Sequence, residues 1–192
     1  MAGPKLADPW REFSPPFLLL KPGQNSVLTA QIPILTLHIF TMSASPLDTI
    51  ALATAHATSY ASALSHSPTL TEWAQALSSH YLPGITSFTC GQTTTMGPDP
   101  VKNLMPYLEK LEEAFGRDFR TVNTRVERVG ERSAVVWMTF ELRPKDGSEW
   151  IVWTNLYGFR VLESGKKGWE YTVADGEVEA LSKRSPGMFG GG

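Results

Sequence analysis

From residue 119 onward the chain reads in period two, and this limits its fold more than any other feature. Segments 119–129, 132–143, 149–163 and 168–175 are rich in β-branched and aromatic residues. Turn formers separate them: Gly130-Glu131, Pro144-Lys145-Asp146-Gly147 and Ser164-Gly165-Lys166-Lys167. Asp146-Gly147 is a strong hairpin signal. The spacing predicts a four-stranded antiparallel meander. Its first three segments run to 11–15 residues, against a usual length of about 5–6. Strands of that length must twist and bend, which suits a curved sheet wrapped around helices.

Neither central segment alternates apolar with polar. On 132–143, Ala134, Val136, Met138, Phe140 and Leu142 share one face, and Val135, Trp137, Thr139 and Glu141 the other. On 149–163, Ile151, Trp153, Asn155, Tyr157, Phe159 and Val161 oppose Trp150, Val152, Thr154, Leu156, Gly158 and Arg160. Both faces therefore ask for cover. Helices take one, and a second copy of the chain is the expected cover for the other, giving a homodimer through the sheet.

Upstream, the period is helical. Ser45-Pro46 with Asp48 reads as a capping box opening a first helix, with the stripe Leu47, Ile50, Ala57, Ala61, Leu64 and with Tyr60 flanking it. Thr69 and Glu72 form a second box, followed by Leu70, Trp73, Leu77 and Tyr81 on one face and a stop at Leu82-Pro83-Gly84. Uncharged residues 85–96 predict one or two short strands around Gly91. A third helix, capped at Asn103 so that Pro106 falls in its first turn, carries Leu104, Leu108, Leu111 and Phe115 and ends at Gly116. Asp175 is placed to cap a last helical turn from Glu177 to Lys183.

Charge excludes several function classes. Residues 1–100 hold 3 Lys/Arg and 5 Asp/Glu, residues 101–192 hold 14 of each, and the net charge is −2. Neither half is basic, so no nucleic-acid or membrane-surface partner is expected. The single cysteine, Cys90, excludes an internal disulfide framework and a cysteine-based zinc site. Phosphate-loop, dinucleotide, HExxH and GxSxG patterns are absent.

Residues 1–45 stand apart as an irregular, Pro-rich extension, followed by a domain at 46–185 and a flexible Gly-rich tail at 186–192. The apolar run 27–40 is shorter than the ~20 residues of a membrane span. Two readings of residues 1–41 stand open: a secretory signal with small residues Ser43-Ala44-Ser45 behind it, or a dispensable, even untranslated, extension. The second reading goes with a cytoplasmic location.

The order helix, helix, short strands, helix, long meander resembles the NTF2-like cone. The run GFRVLESGKKGWEYTVADGEVEAL, Gly158–Leu181, resembles the closing strand pair of SnoaL-like polyketide cyclases, and Pro83-Gly84 and Gly91 sit where that family places such residues. The likeness covers about residues 46–183. It implies an α+β cone or barrel, three helices packed on a long, curved, mostly antiparallel sheet. A deep apolar pocket would lie between the first helices and the concave face. It further implies no metal or organic cofactor, and a small hydrophobic molecule as partner. The expected function is a cofactor-free cyclase or isomerase of secondary metabolism, acting on a polyketide- or terpenoid-like metabolite. The alternative is a non-catalytic ligand-binding or dimerisation module of the same fold.

Chemistry in such a pocket needs an acid or base shifted by apolar surroundings, and a donor for a developing oxyanion. Asn155 interrupts the aromatic face Trp153-Asn155-Tyr157 and either binds a substrate oxygen or faces the dimer interface, since period two cannot say which face is concave. Tyr60 sits on the family's pocket-facing helix, or at a helix edge in water. Trp73 is core that also touches the pocket, and Trp137 neighbours Glu141. The acids and bases are Asp175, which aligns with an acid near the end of the family's last strand and otherwise is a helix cap; Glu141, a buried acid or a surface charge; and His56, a base or a helix-surface histidine. Glu170 is expected to pair with Arg160 across a hairpin, and His80 to answer a helix dipole. No histidine follows His80, so a His–Asp dyad built on the sheet is excluded. Catalysis would therefore rest on Glu141, Glu170, Asp175 or His56.

Overall fold

The structure is a computed structural model that describes residues 47–66 and 68–189. The expected helix start at Ser45-Pro46, the extension over 1–45 and the last three tail glycines lie outside the described residues.

The elements run α1 (Thr49–His66), α2 (Leu70–Ser78), β1 (Tyr81–Thr89), β2 (Gln92–Thr95), α3 (Pro100–Phe115), β3 (Asp118–Gly130), β4 (Ser133–Arg143), β5 (Ile151–Val161), β6 (Lys167–Val173) and α4 (Asp175–Ser182). The meander forms as expected, and β1 adds to its β6 edge in parallel. The six-stranded sheet has the order β2-β1-β6-β5-β4-β3 and is antiparallel except at β1–β6. This is an α+β cone.

Local chemistry explains the boundaries. Asp48 accepts from the Ala51 amide at 2.9 Å and so starts α1. The buried face of α1 is Thr49, Ala53, Ala57 and Tyr60. Ile50, expected on that face, is 46 % exposed. The small residues let α1 lie close against β3 and β4, and Tyr60 belongs to the packed face rather than flanking it. Thr69 caps α2 at the Glu72 amide and donates to its carboxylate. The helix ends earlier than its apolar stripe suggests, because Tyr81 to Gly84 already belong to β1, where Gly84 takes a φ of 74° in an irregular stretch of the β1–β6 pairing. Asp99 caps α3 at the Lys102 amide, with Pro100 in the first turn. The helix thus begins before Asn103, and Pro106 lies inside it. Near the N-terminus a missing proline N–H forfeits one hydrogen bond, and the cap at Asp99 supplies another.

One face of β4 and β5 is buried throughout, while the other is half-buried to exposed except at Gly158, which the Tyr171 ring covers. The buried, concave face receives the helices. The tail departs from expectation at its start. Met188 is 6 % exposed, and its carbonyl lies 3.4 Å from Lys110 Nζ. Phe189 packs 6.2 Å from the Tyr107 ring. Two apolar side chains are enough to draw residues 188–189 back onto α3.

Candidate active-site cavity

The concave face settles the orientation left open by the sequence. Trp153, Asn155 and Tyr157 of β5 point inward and line a cavity of about 440 Å3. Tyr60 of α1 and Trp73 of α2 line it too, as does an apolar wall from α3 built on Leu104, Leu108 and Leu111. These are the inner residues of each helical stripe, so the cavity is the part of the core that the side chains do not fill.

Its polar chemistry centres on a residue that the sequence reading counted only as helix. Glu177, in the first turn of α4, accepts from Asn155 Nδ2 at 2.5 Å and from the Tyr107 hydroxyl. Burial raises its carboxyl above the usual carboxylate range, opposed by these two hydrogen bonds. Phenols converge around it. The Tyr60 and Tyr81 hydroxyls are 3.1 Å apart, and Asn155 Nδ2 also reaches the Tyr157 hydroxyl at 3.4 Å. Desolvation raises all four phenols, Tyr81 to about 12 and Tyr60, Tyr107 and Tyr157 well above their ordinary value. At neutral pH they are hydrogen-bond donors and acceptors, not charges. Three lining residues hold buried polar atoms without a partner among the described residues: Trp73 Nε1, Trp153 Nε1 and Asn155 Oδ1.

The remaining expected residues lie elsewhere. Asp175 is exposed at the start of α4, and its carboxylate accepts from the Cys90 amide, tying the β1–β2 turn to the helix rather than capping it. Glu141 and Trp137 are on the outward sheet face. Glu141 pairs with Arg120, and the Arg125 guanidinium sits 3.9 Å over the Trp137 ring. Period two forces this, since Phe140 and Met138 take the inward positions of β4. Glu170 pairs with Arg160 at 2.7 Å, as expected. His56 faces β6, packed on Trp169 and Phe159, and its Nε2 donates to the His80 carbonyl at 3.0 Å. Burial and the neighbouring His80 lower it to about 4, so it is neutral and structural. His80 closes the end of α2, as anticipated, but as a neutral ring. Its Nδ1 donates to the Ala76 carbonyl at 2.8 Å, which leaves Nε2 to accept from Ser59 Oγ at 3.0 Å.

Glu177, Tyr107 and Tyr81 were missed as site residues, and two of them carried a signal. Glu177 is four residues before the buried Leu181, hence on the inward face of α4. Tyr107 is three residues after Leu104 and four before Leu111, inside the α3 stripe. For Tyr81 the helical stripe of α2 pointed to the wrong element.

Comparison with known proteins fits this architecture. No family model and no curated protein matches the chain. Among solved structures, a ketosteroid isomerase-like protein from Erwinia carotovora atroseptica aligns over 66 % of this chain and 94 % of its own, with a TM-score of 0.51 and 17 % identity. An NTF-2-like protein of unknown function from Shewanella oneidensis aligns over 63 % and 93 %, with a TM-score of 0.48 and 7 % identity. Among the described residues no helix is long and apolar enough to cross a membrane. With helices set into the concave side of a six-stranded, mostly antiparallel sheet and a cavity between them, residues 47–66 and 68–189 have the NTF2-like cone fold.

Proposed function

We propose that the cavity binds a hydrophobic, oxygenated small molecule, polyketide- or terpenoid-like, and that the protein is a cofactor-free cyclase or isomerase of the SnoaL-like kind. The observation that carries this is Glu177, a carboxyl with raised proton affinity lining an apolar cavity among four phenols. A base of that kind takes a proton from carbon next to a carbonyl. The electron pair moves into the carbonyl, whose oxygen gains negative charge, and a phenol hydrogen bond stabilises it. Glu177 then returns the proton at another carbon, and the double bond has moved with no net change in oxidation state. Tyr81 is the phenol best placed for this, being less buried than Tyr60 and Tyr157. Trp153 and Tyr60 shape the wall.

The test is deuterium exchange. A panel of neutral cyclic enones and 1,3-diketones is incubated with protein in D2O and read by mass spectrometry. Wild-type protein is expected to speed exchange over buffer, and Glu177→Gln to lose the acceleration. Exchange at the buffer rate with every compound removes the enzyme and leaves the non-catalytic binding module. That alternative draws on the same carboxyl, since both its oxygens already have protein partners.

The second copy of the chain, in this proposal, covers the outward sheet face, where Val152 is 51 % and Val122 45 % exposed. Native mass spectrometry is expected to show a dimer that Val152→Glu converts to monomer; a monomeric wild type at micromolar concentration rejects it.

A further inference from the structure

The charges around the cavity say more about its ligand than its shape does. Among the described residues Glu177 is the one acid that lines the space, and no Lys, Arg or His does. Among the described residues its two oxygens are met only by uncharged donors, the Tyr107 hydroxyl and the Asn155 amide. No ion pair to it exists among the described residues. The groups that face it from the surrounding elements are Tyr107 on α3, Tyr157 on β5 and Tyr81 on β1, with Tyr60 on α1 behind Tyr81, all neutral phenols. A buried carboxylate without a countercharge is costly, and the aromatic rings around it present electron-rich faces to a cation.

We infer that the cavity selects a lipophilic ammonium ion, a protonated amine on an apolar skeleton, over neutral and anionic molecules of the same shape. The cation supplies the countercharge that the protein withholds, and sits between the Glu177 carboxylate and the rings of Tyr81, Tyr107 and Tyr157. A carboxylate ligand meets only repulsion. Proton and ammonium compete for one carboxylate. Amine binding therefore strengthens as pH rises through the titration of Glu177, until the amine loses its own proton near pH 10. This rests on the reading of the cavity as a small-molecule site, but not on the site being catalytic.

Three naphthalene derivatives of matched bulk test it by titration calorimetry: 2-(dimethylaminomethyl)naphthalene, 2-naphthalenemethanol and 2-naphthoate. At pH 8 the amine is expected to bind at least tenfold more tightly than the alcohol, and the naphthoate more weakly than either. The amine's advantage should shrink as pH is lowered to 5. In Glu177→Gln, shown to be folded by circular dichroism, it should vanish. Equal binding of amine and alcohol by the wild type overturns the inference, and so does an advantage that survives in Glu177→Gln. Silence from all three compounds overturns it together with the small-molecule reading. Deuterium exchange without amine preference overturns it alone.

Discussion

Two polar clusters are buried in the concave half of this sheet, and they differ in one respect. Around His56 and His80, neutral rings are packed against protein on the faces toward Trp169, Phe159 and Tyr60, and the hydrogen bonds close on Ala76, Ser59 and the His80 carbonyl. Around Glu177, the acid, the phenols and Asn155 border a cavity. Both clusters contain titratable groups moved from their ordinary values by desolvation, so a shifted proton affinity alone does not distinguish them. The distinction is whether a molecule can reach the shifted group. His56, a base on sequence grounds, is shifted, half-buried and packed against protein rings; Glu177 is shifted and lines the cavity.

The largest expected effect lies in the closed cluster. Trp169 is fully buried between His56, Tyr157 and Phe159. Trp169→Ala leaves a void there and should cost about 3–5 kcal/mol in urea unfolding. A loss below about 1 kcal/mol would mean that the cluster is loosely packed and the comparison fails.

A smaller effect separates the clusters by pH. The His56 ring titrates near 6.5 when unfolded and at about 4 when folded. Between these values the unfolded chain binds more protons, so His56 destabilises the fold as pH falls from 6.5 to 4, with no further change below 4. His80 is lowered as well and adds in the same direction. Full enclosure would make the His56 interval worth about 3 kcal/mol; partial solvent access reduces the expectation to about 1–2 kcal/mol. Unfolding curves of wild type and His56→Gln at pH 7, 5.5 and 4 should diverge by that amount, and parallel curves reject it.

Glu177 has the opposite sign. Its folded carboxyl holds its proton to higher pH than the unfolded one, so stability is lost as pH rises past the ordinary carboxylate value. Glu177→Gln should therefore stabilise the protein at pH 7 by about 1 kcal/mol, and by little at pH 4, where both side chains are neutral. Stabilisation on removing a side chain is the mark of a group kept for function. A destabilised Glu177→Gln at pH 7 would move Glu177 to the structural side.

How much of this was legible follows from where each signal lives. Period two set the meander and put Trp153, Asn155 and Tyr157 on one face, but a single strand cannot tell concave from convex. That depends on which side the helices take, a tertiary fact. Glu141 and Trp137 were placed beside the site for that reason, and the side of the sheet removes them. The α2–β1 junction was misread because Leu70, Trp73, Leu77 and Tyr81 continue a helical stripe across a change of element. The parallel pairing with β6 overrides it. Capping chemistry was read well where the cap is a short polar residue with a free amide three positions on, as at Thr69. It fails at Asn103, because a proline at 106 argues against the earlier start that Asp99 secures.

The smallest expected effect is the sharpest division, because it concerns two carboxylates on the first turn of one helix. Asp175 and Glu177 are two residues apart, hence about 200° apart around the axis. One faces water and holds the Cys90 amide; the other faces the cavity. Sequence likeness favoured Asp175 as the acid, and helical geometry allows only one of the two to point inward. Asp175→Asn keeps an acceptor oxygen for the Cys90 amide, so it should shift stability by no more than about 0.5 kcal/mol. It should also leave both deuterium exchange and amine binding at wild-type levels. Glu177→Gln should abolish the first and erase the amine preference. If Asp175→Asn instead stops exchange while Glu177→Gln does not, the acid has been assigned to the wrong face of α4. The cavity would then be a binding site whose chemistry happens at its rim.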